Sequence, residues 1–129
     1  MDSNAAEWSA VALDTNALIA AVEYGQSVAV LGGCIPIVSI TTIKQFLRGA
    51  GSLEALRAWL TDTDGRVGLA GSEITVRFLQ QQAAALGRVL HTEDARIAAS
   101  AMREGVPVRT NDVRFSRFLR AIGYPVEGF

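Results

Sequence analysis

The chain has 129 residues, a length that suits one domain able to bury a core without disulfide staples. Half of its residues are hydrophobic and 19% are charged, with a formal net charge of -1, so composition excludes a disordered polyelectrolyte and gives no global argument for nucleic acid. One cysteine and one histidine exclude an internal disulfide and a Cys/His zinc cluster, and point to a reducing, cytoplasmic setting.

The opening MDSNAAEW has neither the basic start nor the apolar middle of a secretory signal. Residues 1–8 therefore read as a linker or an added leader at the front of a single domain over 1–129. Residues 9–13 read as a buried strand and 15–24 as the helix that follows. A second helix over 26–31 is stopped by Gly32-Gly33. PIVSI, residues 36–40, is a strand opened by proline; Thr41 and Thr42 then start the helix IKQFLRG, which Gly49 ends. Residues 53–60 are amphipathic, with Leu53, Leu56 and Leu60 on one face. TDTDG is a turn with Asp62 and Asp64 as turn acids, RVGLA a third strand, and Ser72 the cap of a long helix reaching Leu86. A helix over 93–103 stops at Gly105, VPVRT is a fourth strand, 113–122 the last helix and YPVEG an edge strand. The apolar runs are broken by Glu23, Gly25 and Gln26 or by the glycine pair, so none is expected to span a membrane. Short apolar strands without period-2 alternation, interleaved with helices, predict an α/β layered fold around a parallel sheet.

Ligands of such sheets sit outside the carboxyl ends of the strands. Asp14, in VALDTNALIA, stands at such an end. An uncompensated buried carboxylate costs on the order of several kcal/mol. Asp14 is thus either a helix N-cap, a job Thr15 and Asn16 could share, or a ligand. Asp112, in VRTND, repeats the placement, with Asn111 as its possible partner in capping. Asp94, in EDARIAASAM, falls on the face of Ile97, Ala98 and Ala101, whereas Glu93 is the ordinary first-turn acid. Three carboxylates brought to one cleft would raise one another's pKa, and a divalent cation would remove that penalty. Hard oxygen donors suit Mg²⁺ or Mn²⁺, which activate water and stabilise charge at a phosphodiester under attack. RTNDVRFSRFLR adds four arginines and one acid, with Arg114, Arg117 and Arg120 on a stripe opposite Phe115, Phe118, Leu119 and Ile122. That stripe is a solvated helix face or an edge for a phosphate backbone.

The order LDTN, a short strand with SITTIKQFLRG, then DARIAASA, then TND resembles PIN domains, and in particular nuclease toxins of the VapC type, over residues 10–122. The resemblance implies a three-layer α/β fold, a short parallel sheet flanked by helices, and a metal-dependent endoribonuclease with an acidic Mg²⁺ or Mn²⁺ cluster. Carried over by position, it implies Asp14, Asp94 and Asp112 as catalytic metal-holding acids and Asn16, Thr110 and Asn111 as their polar support. The family pattern x-K-E-F-L carries a fourth catalytic acid where this chain has Gln45. Glutamine keeps the size and one carbonyl oxygen but loses the charge and the general-base capacity. Thr42-x-x-Gln45 also fits a capping box. Three origins stand: an engineered Glu-to-Gln silencing, a natural inactive homologue, or an enzyme that works with glutamine. The intact set of other acids favours the first.

GAGSLEALRAWL, the run from QQQAAALG to VRTND and the closing GYPVEGF are similar to PIN modules at the tips of Rhs-type polymorphic toxins. That similarity implies an immunity protein as partner, and a free-standing VapC-type toxin would take a cognate antitoxin. The expected substrate is RNA, with tRNA or rRNA as candidates, in the cytoplasm of the producing cell or of a target cell. Lys44, Arg114 and Arg117 are the candidates for phosphate contact. His91 reads as an exposed loop or cap neighbour, Cys34 as a small core residue, and Trp59 and Phe78 as packing residues. The rival class is a non-catalytic PIN-like module that binds RNA or protein. A receiver-like phosphoacceptor would need a lysine after a late strand, and the only lysine is Lys44.

Overall fold

Each of the five segments read as strands contributes a strand to one sheet. The computed structural model describes residues 8–49 and 51–129, so the linker reading of the opening segment lies outside the described residues except at Trp8. The elements are β1 (Ala10–Leu13), α1 (Thr15–Glu23), α2 (Ser27–Leu31), β2 (Ile35–Val38), α3 (Ile40–Gly49), α4 (Leu53–Asp62), β3 (Arg66–Val67), α5 (Glu73–Ala85), α6 (Thr92–Glu104), β4 (Val108–Arg109), α7 (Val113–Ala121) and β5 (Val126–Glu127). The sheet order is β3-β2-β1-β4-β5, and each neighbouring pair is parallel. Among the described residues no helix is long and apolar enough to cross a membrane.

Successive strand residues point to opposite faces, so each strand feeds two cores. Val11, Leu13 and Val38 join Ala17, Leu18, Val30, Phe46, Leu56 and Trp59 on one face. Ala12, Ile37 and Val108 join Val76, Leu79, Ile97, Phe115 and Leu119 on the other. Leu18 and Leu79 are essentially sealed from water, each burial contributing about 1.5–3 kcal/mol. These two cores are the expected three layers.

The strands are shorter than their apolar runs suggest, and the cause is competition for backbone groups. Past β3, Gly68 N–H still bonds Val38 O, but Leu69 N–H donates to the Glu104 carboxylate at 2.7 Å. The carbonyls of Leu69 and Ala70 accept from Ser100 and Arg103. Side chains of α6 thus take the groups a longer strand would have paired. Before β4, Val106 N–H closes α6 on Ala101 O, the Val106 carbonyl accepts from the Tyr124 hydroxyl, and Pro107 has no N–H to give.

Helix ends follow the glycine and turn signals more closely. Gly32 and Gly105 take left-handed conformations as the C-caps of α2 and α6, and Asp64 does so in the turn after α4. Two packing expectations are corrected. Leu53 is 47% exposed, and Trp59 fills the buried face of α4 with Leu56, its indole N–H donating to Ser27 Oγ at 2.9 Å. Phe78 is 54% exposed on α5 rather than a packing residue. Cys34 is buried, as expected.

Candidate active site

Strand order reverses between β1 and β4: from β1 the chain builds outward through β2 to β3, and from β4 outward to β5. At such a switch point the loops leaving two adjacent parallel strands diverge and leave a crevice. Asp14 immediately follows β1, and Asp112 follows β4 after Thr110 and Asn111. The site is therefore built into the topology.

Asp14 is buried at 5% exposure and bonded through both oxygens. Its Oδ1 accepts Ala17 N–H at 2.9 Å, the N-cap bond of α1, and its Oδ2 accepts from the Thr110 hydroxyl. Capping and site membership are thus two uses of one side chain. Burial raises its pKa, the bonds from Thr110 and Ala17 pull it back, and the charge of Asp112 adds to the rise. Thr110, itself fully buried, also accepts Asp112 N–H at 3.0 Å. Asp112 caps α7 through Oδ1, which accepts Phe115 N–H at 3.1 Å.

Asp94 is half-buried on the inward side of α6. Its pKa is pushed up to about 6, by burial first, then by the negative charges of Asp112 and Asp14, with Glu93 adding a little and His91 opposing. The three acids found in sequence therefore share one electrostatic environment. Glu93 points outward and pairs with Arg48 at 3.0 Å, as an ordinary first-turn acid would.

Gln45 stands beside the start of α1, where its Oε1 accepts a hydrogen bond from the hydroxyl of Thr15, the residue after Asp14. The capping-box reading of Thr42 and Gln45 is corrected. Helix α3 starts one turn earlier, Ser39 Oγ takes the Thr42 N–H at 3.1 Å, and the Thr42 hydroxyl donates to Leu13 O at 3.2 Å. Gln45 is left outside the cap, bonded to Thr15 and absent from the groove beside the acids.

A groove of about 750 Å³ opens beside the acids, with Asp94 and Asp112 on its wall together with Arg88, His91, Arg114 and Arg117. Two of the three expected cations, Arg114 and Arg117, therefore line the same groove as Asp94 and Asp112. Lys44 is exposed on α3 and does not line this groove, and neither does Arg120. Asn16 is exposed at the start of α1, away from the bonds that fix Asp14. Asn111 is turned to Phe129 rather than to the acids. Arg88 and His91 are gained: both belong to the connection between α5 and α6, where no periodicity marks a residue as facing a site.

The donor set is hard oxygen, and burial first, with neighbouring acid charge second, raises the Asp14 and Asp94 carboxyls, a cost that a bound cation would reduce. Each Asp14 oxygen keeps a second lone pair beyond its bond to Thr110 or Ala17. The residues fit a divalent cation in charge and chemistry. Among the described residues, however, no group of three His, Cys, Asp or Glu is gathered closely enough to form a metal-holding cluster.

No protein-family model matches the sequence, and no curated protein matches it. Solved structures do resemble the fold. VapBC2 from Rickettsia felis, bound to a DNA fragment from its promoter, is 17% identical, with 93% of this chain and 98% of that chain covered at a TM-score of 0.70. FitAcB from Neisseria gonorrhoeae is 20% identical over 90% of this chain and 95% of that chain, TM-score 0.64. VapBC-5 of Mycobacterium tuberculosis, from the VapBC family of toxin-antitoxin systems, is 23% identical over 94% and 98%, TM-score 0.61. The chain has the fold of VapC-type PIN-domain toxins, as its motif order led us to expect.

Proposed function

We propose that this chain is a toxin module of the PIN nuclease kind, built to hydrolyse RNA phosphodiesters with a divalent cation and weakened by glutamine at position 45. The observation that carries this reading is the shared field of Asp14, Asp94 and Asp112, in which burial and neighbouring acids raise the Asp14 and Asp94 carboxyls beside a groove walled by arginines. Asp14, Asp94 and Asp112 would hold Mg²⁺ or Mn²⁺, which supplies charge neutralisation and a water of lowered pKa. The chain's own residues do the rest. Thr110 and the Ala17 N–H fix Asp14, and Arg88, Arg114 and Arg117 draw a phosphate backbone to the acids. Gln45 can bond a water but cannot take its proton, so the chain as it stands is slow or silent.

Neighbours that are toxin–antitoxin pairs support a cognate antitoxin as partner. They lend no support to the effector-tip reading with its immunity protein and favour its alternative, the free-standing toxin. A second reading, a PIN-like module that binds RNA or protein without turnover, is favoured by Gln45 and by the open spacing of the acids.

The test is RNA cleavage with Mn²⁺ by the chain, by Gln45→Glu, and by Gln45→Glu combined with Asp14→Asn. Cleavage by Gln45→Glu, lost in the double variant, is the expected result. Silence of all three on several RNAs and a DNA would leave the binding module.

A further inference from the structure

Asn111 lies between two residues of the site, yet its side chain serves a different part of the chain. Its Nδ2 donates to the Phe129 carbonyl at 3.0 Å, and its Oδ1 accepts the Phe129 N–H at 2.8 Å. An amide presents one donor and one acceptor at a fixed spacing, so it can substitute for a strand residue in a ladder. It does so here. The β4–β5 pairing runs from Val108 and Arg109 to the bond from Thr110 N–H to Glu127 O at 2.9 Å, and Asn111 carries it on to Phe129. Arg109 adds a side-chain bond to Glu127 at 2.8 Å, and Phe129 packs against the core that holds Val11, Leu13 and Val38.

The turn 110–112 is thus held from two sides. On the inside, Thr110 bonds the Asp14 carboxylate and receives the Asp112 N–H. On the outside, residues 127–129 are tied along it. Asp112 has one oxygen committed to capping α7, so the direction of its other oxygen depends on how the turn is seated.

We propose that Asn111 is a positioning residue: by clasping the main chain of Phe129 it seats the 110–112 turn and so sets where the Asp112 carboxylate stands relative to Asp14 and Asp94. The proposal rests on the nuclease reading only for the cation that Asp112 would hold. Asn111 itself is exposed, so its bonds are worth little to overall stability and their effect is local. The clasp can be opened from either end. Asn111→Ala removes both bonds. Gly128→Ala leaves Asn111 intact but sets a Cβ 3.0 Å from its Oδ1, tighter than ordinary contact.

The experiment measures amide exchange at Asp112 and Phe115 by NMR, Mn²⁺ affinity by calorimetry, and Tm, in the full chain and both variants. Lost protection at Asp112 and roughly tenfold weaker Mn²⁺ binding, with Tm little changed, are expected. Unchanged protection and unchanged Mn²⁺ affinity would overturn the proposal, even if Tm fell, since that pattern describes a merely structural contact. If the parent chain takes up no Mn²⁺, the cation reading fails and exchange alone decides the clasp: protection lost upholds it, protection kept overturns it.

Discussion

The inner and outer halves of the acid site solve the problem of a buried carboxylate in opposite ways. At the inner end, between β1 and β4, Asp14 is sealed from water but receives bonds from Thr110 and Ala17 on its two oxygens. At the outer end, on α6, Asp94 keeps more contact with water yet its pKa rises to about 6, because burial and two neighbouring acids act together. The difference separates scaffold from reserve. The inner acid is positioned whether or not a ligand is bound, whereas the outer acid carries a repulsion that a cation, or a proton, can relieve.

The largest break in this comparison should come from Thr110→Val. It keeps the shape and removes the hydroxyl, leaving a buried Asp14 oxygen without its donor, at about 1–3 kcal/mol by urea unfolding. A loss below about 0.5 kcal/mol would mean that water replaces the hydroxyl and that the inner half is not sealed. The next test sharpens the contrast through pH. The folded-state pKa of Asp94 lies above its ordinary 3.8, so the folded chain binds more protons than the unfolded one between about 4 and 6. Stability should therefore fall as pH rises through that window, and Asp94→Asn should flatten the slope. Equal slopes in parent and variant would assign the effect to other groups. The smallest effect on stability is expected for Arg114 and Arg117 changed together to alanine, within about 0.5 kcal/mol for two exposed side chains. Their effect should appear in RNA binding, whose log–log salt slope should drop by about 2 if both meet phosphates. A preserved slope would turn the groove away from the backbone.

Much of this was legible in the sequence, for identifiable reasons. Residues 11–13 and 36–38 are buried on both faces, so their runs lack alternation and announce a parallel sheet. Asp14 and Asp112 could be found because strand ends before helices are where such folds bind ligands, and Asp94 because 3.6-residue periodicity turns it inward. What escaped depends on contacts between distant segments. Nothing local shows that Glu104 will take the backbone that would have lengthened β3, or that Asn111 will answer to Phe129. The α3 cap shifted from Thr42 to Ser39 because two hydroxyl residues compete within one turn, and only the Leu13 carbonyl decides between them. Arg88 entered the groove through a loop, where side-chain direction has no period to reveal it.

The pairing of β1 with β4 has a consequence in time. Asp14 and Thr110 are bonded partners separated by 96 positions, and β1 lies at the centre of the sheet. During synthesis the first acid emerges early and waits, unpartnered, until the last third of the chain has left the ribosome. The proposed nuclease centre closes only across such a distance, so a fragment ending before Thr110 would lack the bond that fixes Asp14. The same delay opens a window in which the proposed antitoxin would meet the nascent chain before the acids are brought together.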